Sequence, residues 1–435
     1  MTSAGAGWLP RSAVRAGLLG KVVETATQVL VITLVPRALG PADYGTFALA
    51  LTLVQIGSSS LSLAGPTLMA RFVPAAAPAE RPAVARALGA RLGRWRLVQV
   101  GSVAVVAGVL VAVAPERFDA LITALVVVAL ALDVGATLAF QIVLGFGRAG
   151  VWSARFPVQN VLLLGAVLLL YAVAGRPGAV AGIAVASASA LAFAASVVAG
   201  PLRRAAPGAP LPPGALRFGL LGGASVALVL LQQRGGVVAV ALLGGTTSQA
   251  GYAALALGVA IAGTAVVWQL FAVQLPGLIS HGSADLGEAE RAARRLAWQS
   301  LAVFLPGALV AAALLTPGIR LVLGERFAGA HDAFAAALAV LPLAPLTGLM
   351  TQTSALRLRP ELRLWATAAG AIVFLITVAI GVPLLDAAAA PVALLTGSAV
   401  TVVVAARLLG AAPERNLTAV ALSGVVAVLV VASIA

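Results

Sequence analysis

The chain has 435 residues, 61% of them hydrophobic and only 10% charged. No water-soluble fold buries that much apolar side chain, so the composition excludes a soluble domain and predicts a polytopic membrane protein. With no cysteine, a disulfide framework and thiol chemistry are excluded too, and the net charge of +14 comes from arginines set between apolar runs, not from a nucleic-acid face.

Apolar runs long enough to span a bilayer fall at 14–36, 45–73, 96–114, 119–144, 156–174, 179–200, 216–243, 252–280, 297–315, 333–356, 364–385, 391–410 and 417–434. The first is too long for a signal-peptide core and lacks a small-residue cleavage site, so it reads as a retained span. It carries Lys21, Glu24 and Gln28 at i, i+3 and i+7, one face of a helix. Either this face lines a cavity, with Glu24 as a proton or cation site, or Lys21 and Glu24 form an internal pair that fixes packing. The fourth run holds Asp133 with no basic residue nearby in sequence, which makes it a second candidate for ion coupling.

Orientation follows from the basic residues. With the N-terminus cytoplasmic, the outer connections carry only Arg37, Arg117, Arg176, Arg320 and Arg326 of the 28 lysines and arginines. The inner side takes clusters such as Arg81, Arg86, Arg91, Arg94 and Arg96, then Arg203 and Arg204, then Arg291, Arg294 and Arg295.

A proline-rich polar stretch, 201–215, divides the chain. The expected organisation is an N-terminal six-helix lobe (1–200), this cytoplasmic linker, a C-terminal six-helix lobe (216–411) and an additional transmembrane helix (412–435). The halves echo each other. Residues 39–51 read LGPADYGTFALAL and residues 243–257 read LGGTTSQAGYAALAL. Aligning Gly40 with Gly244 sets Gln28 opposite Gln232. Internal duplication of six-span units is a transporter architecture.

The seventh run, 216–243, contains Gln232, Gln233 and Arg234, followed by Gly235 and Gly236, where a helix can bend. A charge in hydrocarbon costs ~2.5 kcal/mol or more. Arg234 therefore either snorkels to the interface or faces a hydrated cavity. Arginine suits a phosphate group because its planar fork donates paired hydrogen bonds. Gln28, Gln232, Gln233 and Arg234 are the candidate substrate-binding residues; Glu24 and Asp133 are the candidate ion-coupling residues.

Some motifs are excluded. Gly145, Gly147 and Gly150 match G-x-G-x-x-G, but that fingerprint needs a strand before it and here lies between two apolar runs. His281 and His331 have no ligand spacing. No P-loop, HExxH or DxD-like site occurs, so neither cofactor nor metal is expected.

Four stretches carry a family resemblance: LVPRALGPADYGTFALALTLVQIGSSSLSLAGPTLMARF, FQIVLGFGRAGVWSARFPVQNVLLL, LQQRGGVVAVALLGGTTSQAGYAALALGVA and LVLGERFAGAHDAFAAALAVLPLAPLTGL. In order and spacing the chain resembles, over most of 15–410, the polysaccharide biosynthesis/O-antigen flippase family. That family belongs to the multidrug/oligosaccharidyl-lipid/polysaccharide exporter superfamily. The resemblance implies an all-α polytopic fold, two six-helix lobes around a central cavity, with the C-terminal helix as an addition. It also implies alternating access that moves a polyprenyl-diphosphate-linked glycan outward. The chain departs from the family at Gln233, where an acidic residue commonly precedes the basic one.

The expected protein is thus a flippase and not an enzyme, in a bacterial plasma membrane. Its expected partners are the lipid-linked glycan, membrane lipids, and glycosyltransferases or a polymerase of the same pathway; no nucleic acid is among them. The rivals are a small-molecule exporter of the same superfamily and a membrane-embedded glycosyltransferase or polymerase.

Overall fold

In hydrocarbon every backbone polar group must be satisfied by the protein, and a helix does this within one segment. The computed structural model describes residues 11–62, 65–116, 118–205, 215–282, 286–357, 360–410 and 412–434, and among them there is no strand. The helices are α1 (Arg11–Ser60), α2 (Gly65–Ala75), α3 (Arg81–Val113), α4 (Ala120–Gly145), α5 (Ala149–Arg204), α6 (Ala215–Leu242) and α7 (Thr247–Gly282). They continue as α8 (Leu286–Ala313), α9 (Leu315–Val322), α10 (His331–Leu338), α11 (Ala344–Leu356), α12 (Pro360–Leu385), α13 (Ala389–Leu409) and α14 (Ala412–Ile434). Many are long and apolar enough to cross a membrane, and the chain is a multi-pass membrane protein of the all-α class. Most of the linker, 206–214, and the side chains of Lys21 and Gln274 lie outside the described residues.

All thirteen apolar runs fall on helix, with three differences of detail. The first run and the second as far as Ser60 are continuous in α1 except at Gly40, whose φ of 74° only glycine adopts cheaply; beyond Ser60 the second run leaves α1 and resumes in α2. The fifth and sixth are likewise joined in α5 across Gly175, with Pro177 just inside the second segment. The tenth is not one helix but α10 and α11, separated by a 3-10 turn at Leu341–Leu343 that contains Pro342. The additional C-terminal helix is α14, which packs on α8. The G-x-G-x-x-G glycines sit in the turn from α4 to α5, with no strand before them.

The described chain divides into two compact units, each with its own core. Unit 1 holds Met1–Ala38 and Leu53–Val226; unit 2 holds Leu39–Thr52 and Ala227–Ala435. In unit 1, α4 is the central helix and packs on α2, α3 and α5. Leu68, Met69, Leu92, Phe140 and Val143 fill the space between them. Helix α3 buries one stripe, Ala85, Leu88, Gly89, Leu92 and Arg96, at helical spacing. Its other faces carry apolar residues such as Leu97, Val98 and Val105, exposed as a membrane requires.

In unit 2, α10 and α11 form the most deeply buried segment, enclosed by α7, α8 and α13. Here the sequence echo becomes a physical contact. Gly45 packs against the carbonyl of Thr247, and Gly251 packs against the carbonyl of Pro41. Each carbonyl lies one helical turn before the other glycine, so the contact is reciprocal. A side chain at either glycine would meet backbone. The turn glycines of the echo also match: Gly40 and Gly244 both have positive φ, 74° and 107°. Helix α7 then begins with a capping box, in which Thr246 and Gln249 satisfy each other's backbone N–H groups. The rings of Tyr44 and Tyr252 both lean edge-on against Phe327.

Candidate functional sites

Unit 1 contains a buried polar centre built on α4. Asp133, Thr137 and Gln141 are spaced four residues apart and share one face, and all three are buried. Two arginines meet this face. Arg155, from the start of α5, donates from Nη2 to Thr137 Oγ1 at 2.8 Å and lies close enough to Asp133 to compensate its charge. Its guanidinium also sits over the rings of Phe140 and Phe156, 5.2 and 4.8 Å from their centres. Arg96, only 2% exposed, donates to Val134 O at 3.3 Å, Ser62 O at 3.0 Å and Gln141 Oε1 at 2.7 Å. Its charge is met by carbonyl oxygens alone. Gly65 makes room for the Gln141 amide, because a side chain there would occupy the same space.

Asp133 receives two further donors. Gln159 Nε2 reaches Oδ1 at 3.0 Å, and the Ser187 hydroxyl reaches it at 3.4 Å. The next residue, Asn160, turns to α1 and donates to Thr27 Oγ1 at 3.2 Å and, more weakly, to the Glu24 carbonyl. The two candidate ion-coupling residues are therefore linked through adjacent residues of α5. Asp133 is 6% exposed, whereas Glu24 is only half-buried. Arg96 and Arg155 had been assigned by position to the inner surface; the fold draws both into the helical core.

Unit 2 separates the Gln232–Gln233–Arg234 triplet, because consecutive residues on a helix diverge by about 100°. Gln232 is buried and donates to the Thr367 carbonyl of α12 at 2.9 Å. Gln232 and Gln233 both line a cavity inside unit 2, and Arg234 does not. Arg234 is half-buried and close enough to Tyr44 for the two groups to interact electrostatically. Among the described residues it makes no hydrogen bond or ion pair. Gln28 is half-buried in unit 1 and likewise makes no hydrogen bond among the described residues.

The two glycines after Arg234 lie inside the helix. Helix α6 runs unbroken from Ala215 to Leu242. Gly236 lets α13 approach at Ala390, and Gly235 abuts Leu231 and Phe374.

The cavity of unit 2 measures about 900 Å³, including the part open to solvent. Its walls come from α6, α7, α11, α12, α13 and the turn before α11. Trp268 and Arg363 line it, as do Thr347, Thr351 and Ser354 of α11 and Ser398 and Thr401 of α13. None of these was singled out in the sequence. The available signal was the run of Thr and Ser at 347, 351 and 354, at helical spacing inside an apolar segment. Among the described residues there is no cluster of acidic or histidine side chains suited to a metal ion.

No protein-family model matches the chain, and no curated protein matches it by sequence. Solved structures do match by fold. The lipid II flippase MurJ, in an inward closed conformation, superposes with a TM-score of 0.70 at 11% identity, over 96% of this chain and 91% of that one. A multidrug resistance MATE family transporter of the MOP superfamily, facing inward, gives 0.63 at 14% identity, over 92% and 95%. A variant of the Vibrio cholerae MATE transporter VcmN gives 0.51 at 14% identity, over 93% and 95%. The chain has the fold that these proteins share, the fold of the superfamily to which its sequence bears a resemblance.

Proposed function

We propose that the protein is a flippase of the MOP type. It moves a polyprenyl-diphosphate-linked oligosaccharide from the cytoplasmic to the outer leaflet, by alternating access driven by an ion gradient or the membrane potential. It works in a bacterial plasma membrane with its N-terminus cytoplasmic, its two six-helix halves acting as the moving lobes. The observation that carries this reading is Arg234, a cation within an apolar helix that no described carboxylate neutralises. An arginine held in hydrocarbon without a counter-charge suits a ligand that brings the negative charge with it. A diphosphate does so, and a single arginine binds it firmly enough to select it yet releases it on the other side. Gln232 holds α6 to α12 so that Arg234 keeps its direction. Coupling runs through Asp133 and Glu24. Protonation of Asp133 would strip Arg155 of its counter-charge, and the Asn160 link would pass the change to α1.

The test is export of glycan to the cell surface, or flipping in reconstituted vesicles, at matched protein levels. Arg234→Ala should abolish it while the protein still inserts and folds, because deleting a buried charge relieves a desolvation cost. Arg234→Lys should recover little, since a point charge lacks the paired hydrogen bonds. Normal flipping by the Ala variant would make Arg234 a snorkelling anchor and overturn the reading. A small-molecule exporter is the second reading, and the cavity of unit 2, mainly apolar with a few polar side chains, favours it.

A further inference from the structure

The walls of the unit 2 cavity narrow what it can hold. Among the described residues no carboxylate lines it, and Arg363 is the one charged side chain there. The Arg363 guanidinium lies over the Trp268 ring, 5.5 Å from its centre. It makes no hydrogen bond or ion pair with any described residue. The nearby Arg357 differs in this respect, since Glu290 holds it through two hydrogen bonds of 2.6 and 3.1 Å.

Five hydroxyls of the wall are already committed as donors. Thr264, Thr347, Thr351, Ser354 and Thr401 each donate to a carbonyl of their own helix, at 2.8–2.9 Å. The indole N–H of Trp268 goes to Thr347 Oγ1 at 3.3 Å. What remains for a ligand is mostly apolar surface and lone pairs, with the free donors of Arg363, Gln233, Thr367 and Ser398. A sugar would need donors along the whole wall, and a cation would need a carboxylate. An apolar body with one negative group needs neither.

We propose that this cavity is a binding site for an amphipathic organic anion. The apolar body lies along α11, and a carboxylate or phosphate sits on Arg363. From Ala344 to Ser354 the lining follows α11 for about 15 Å at the helical rise, the length of a chain of ten to twelve carbons or so. The site does not include Arg234, so it stands or falls separately from the flippase reading. The negative amphiphile comes either from solution or from the membrane as an anionic lipid.

The test uses the full chain in nanodiscs of zwitterionic phosphatidylcholine and measures saturable binding of radiolabelled dodecanoate. Arg363→Gln should weaken binding at least tenfold, and Arg363→Lys should weaken it less. Thr351→Trp should also abolish saturable binding, because it fills the middle of the cavity while leaving Arg363 in place. It also guards against misfolding of the Arg363 variants. Dodecyltrimethylammonium, of equal length and opposite charge, should not compete. If phosphatidylglycerol in the nanodisc displaces dodecanoate, the natural occupant is a membrane lipid; if it does not, the occupant is a free amphiphile. Equal binding by the wild type, Arg363→Gln and Thr351→Trp overturns the proposal, and so does competition by the cation.

Discussion

Both units draw arginines into apolar helices, but they settle the charge in opposite ways. Unit 1 surrounds its arginines. Arg155 has Asp133, Thr137 and two aromatic faces, and Arg96 has three oxygen acceptors. Unit 2 leaves Arg234 and Arg363 with no acid among the described residues. Burial alone therefore does not assign an arginine its role. What distinguishes the two pairs is whether the fold engages the guanidinium at all: Arg96 and Arg155 donate to protein oxygens, although the Nε of each is buried without a partner, whereas Arg234 and Arg363 donate to no described residue.

The sharpest way to break this contrast is to remove the counter-charge in unit 1. Asp133→Ala leaves Arg155 charged, buried and uncompensated, which should destabilise the protein by about 3–5 kcal/mol. Thermal unfolding of the detergent-purified protein measures it. Adding Arg155→Met should restore much of the loss, because the double variant carries no orphan charge. Arg234→Ala, by comparison, should leave the unfolding temperature nearly unchanged. If Asp133→Ala unfolds like the wild type, the unit 1 centre is not a closed charge network and the contrast fails.

A smaller effect is expected at the reciprocal glycines of unit 2. Gly45→Val and Gly251→Val each drive a side chain into a backbone carbonyl, of Thr247 and of Pro41 respectively. Backbone cannot rotate away as a side chain can, so each should cost about 1–3 kcal/mol. The clash is deeper at Gly45, so Gly45→Val should cost the more, and because the two sites share one contact the double variant should lose less than their sum. A large cost at one site and none at the other would show that the echo in sequence does not carry an equivalent packing role.

The helices themselves were legible because hydrocarbon leaves the backbone so few options. Span lengths, the turn glycines Gly40 and Gly244, and the additional helix α14 all follow from apolar run length and glycine chemistry. The break in the tenth run was signalled only by Pro342, and a proline inside a span is compatible with an intact helix. Arg96 was readable in principle. It continues the buried stripe of Ala85, Leu88 and Leu92, whereas Arg91 and Arg94 fall out of phase and are exposed. Position relative to the run boundary hid that phase. The unit 2 cavity was not readable, since its walls come from helices far apart in sequence and most of its polar atoms are hydroxyls. Such residues satisfy themselves within a helix and leave no mark in composition. The packing role of Gly236 was hidden for a related reason: glycine serves close packing as well as bending, and only the neighbour, Ala390, reveals it.

The finest test compares one substitution in both units. Gln159→Leu and Gln232→Leu each replace a buried or half-buried amide by an apolar group of similar size. Gln159 donates to a carboxylate at 3.0 Å, and Gln232 donates to a backbone carbonyl at 2.9 Å. The lengths are alike, so geometry does not separate them; the charge of the acceptor does. A hydrogen bond to a charged group contributes roughly 1.5–3 kcal/mol, against about 1 kcal/mol for a neutral pair. Gln159→Leu should therefore lower the unfolding temperature more, and it should also alter the ion dependence of transport through Asp133. The Thr367 carbonyl left by Gln232→Leu belongs to a helix whose own N–H groups still satisfy it in part. That variant should lose about 1 kcal/mol of stability, and its transport should fall without a change in ion dependence, because α6 no longer holds Arg234 in its direction. The reverse order of stabilities would mean that Asp133 is neutral in the folded protein, and the assignment of unit 1 as the charge-compensated region would have to be withdrawn.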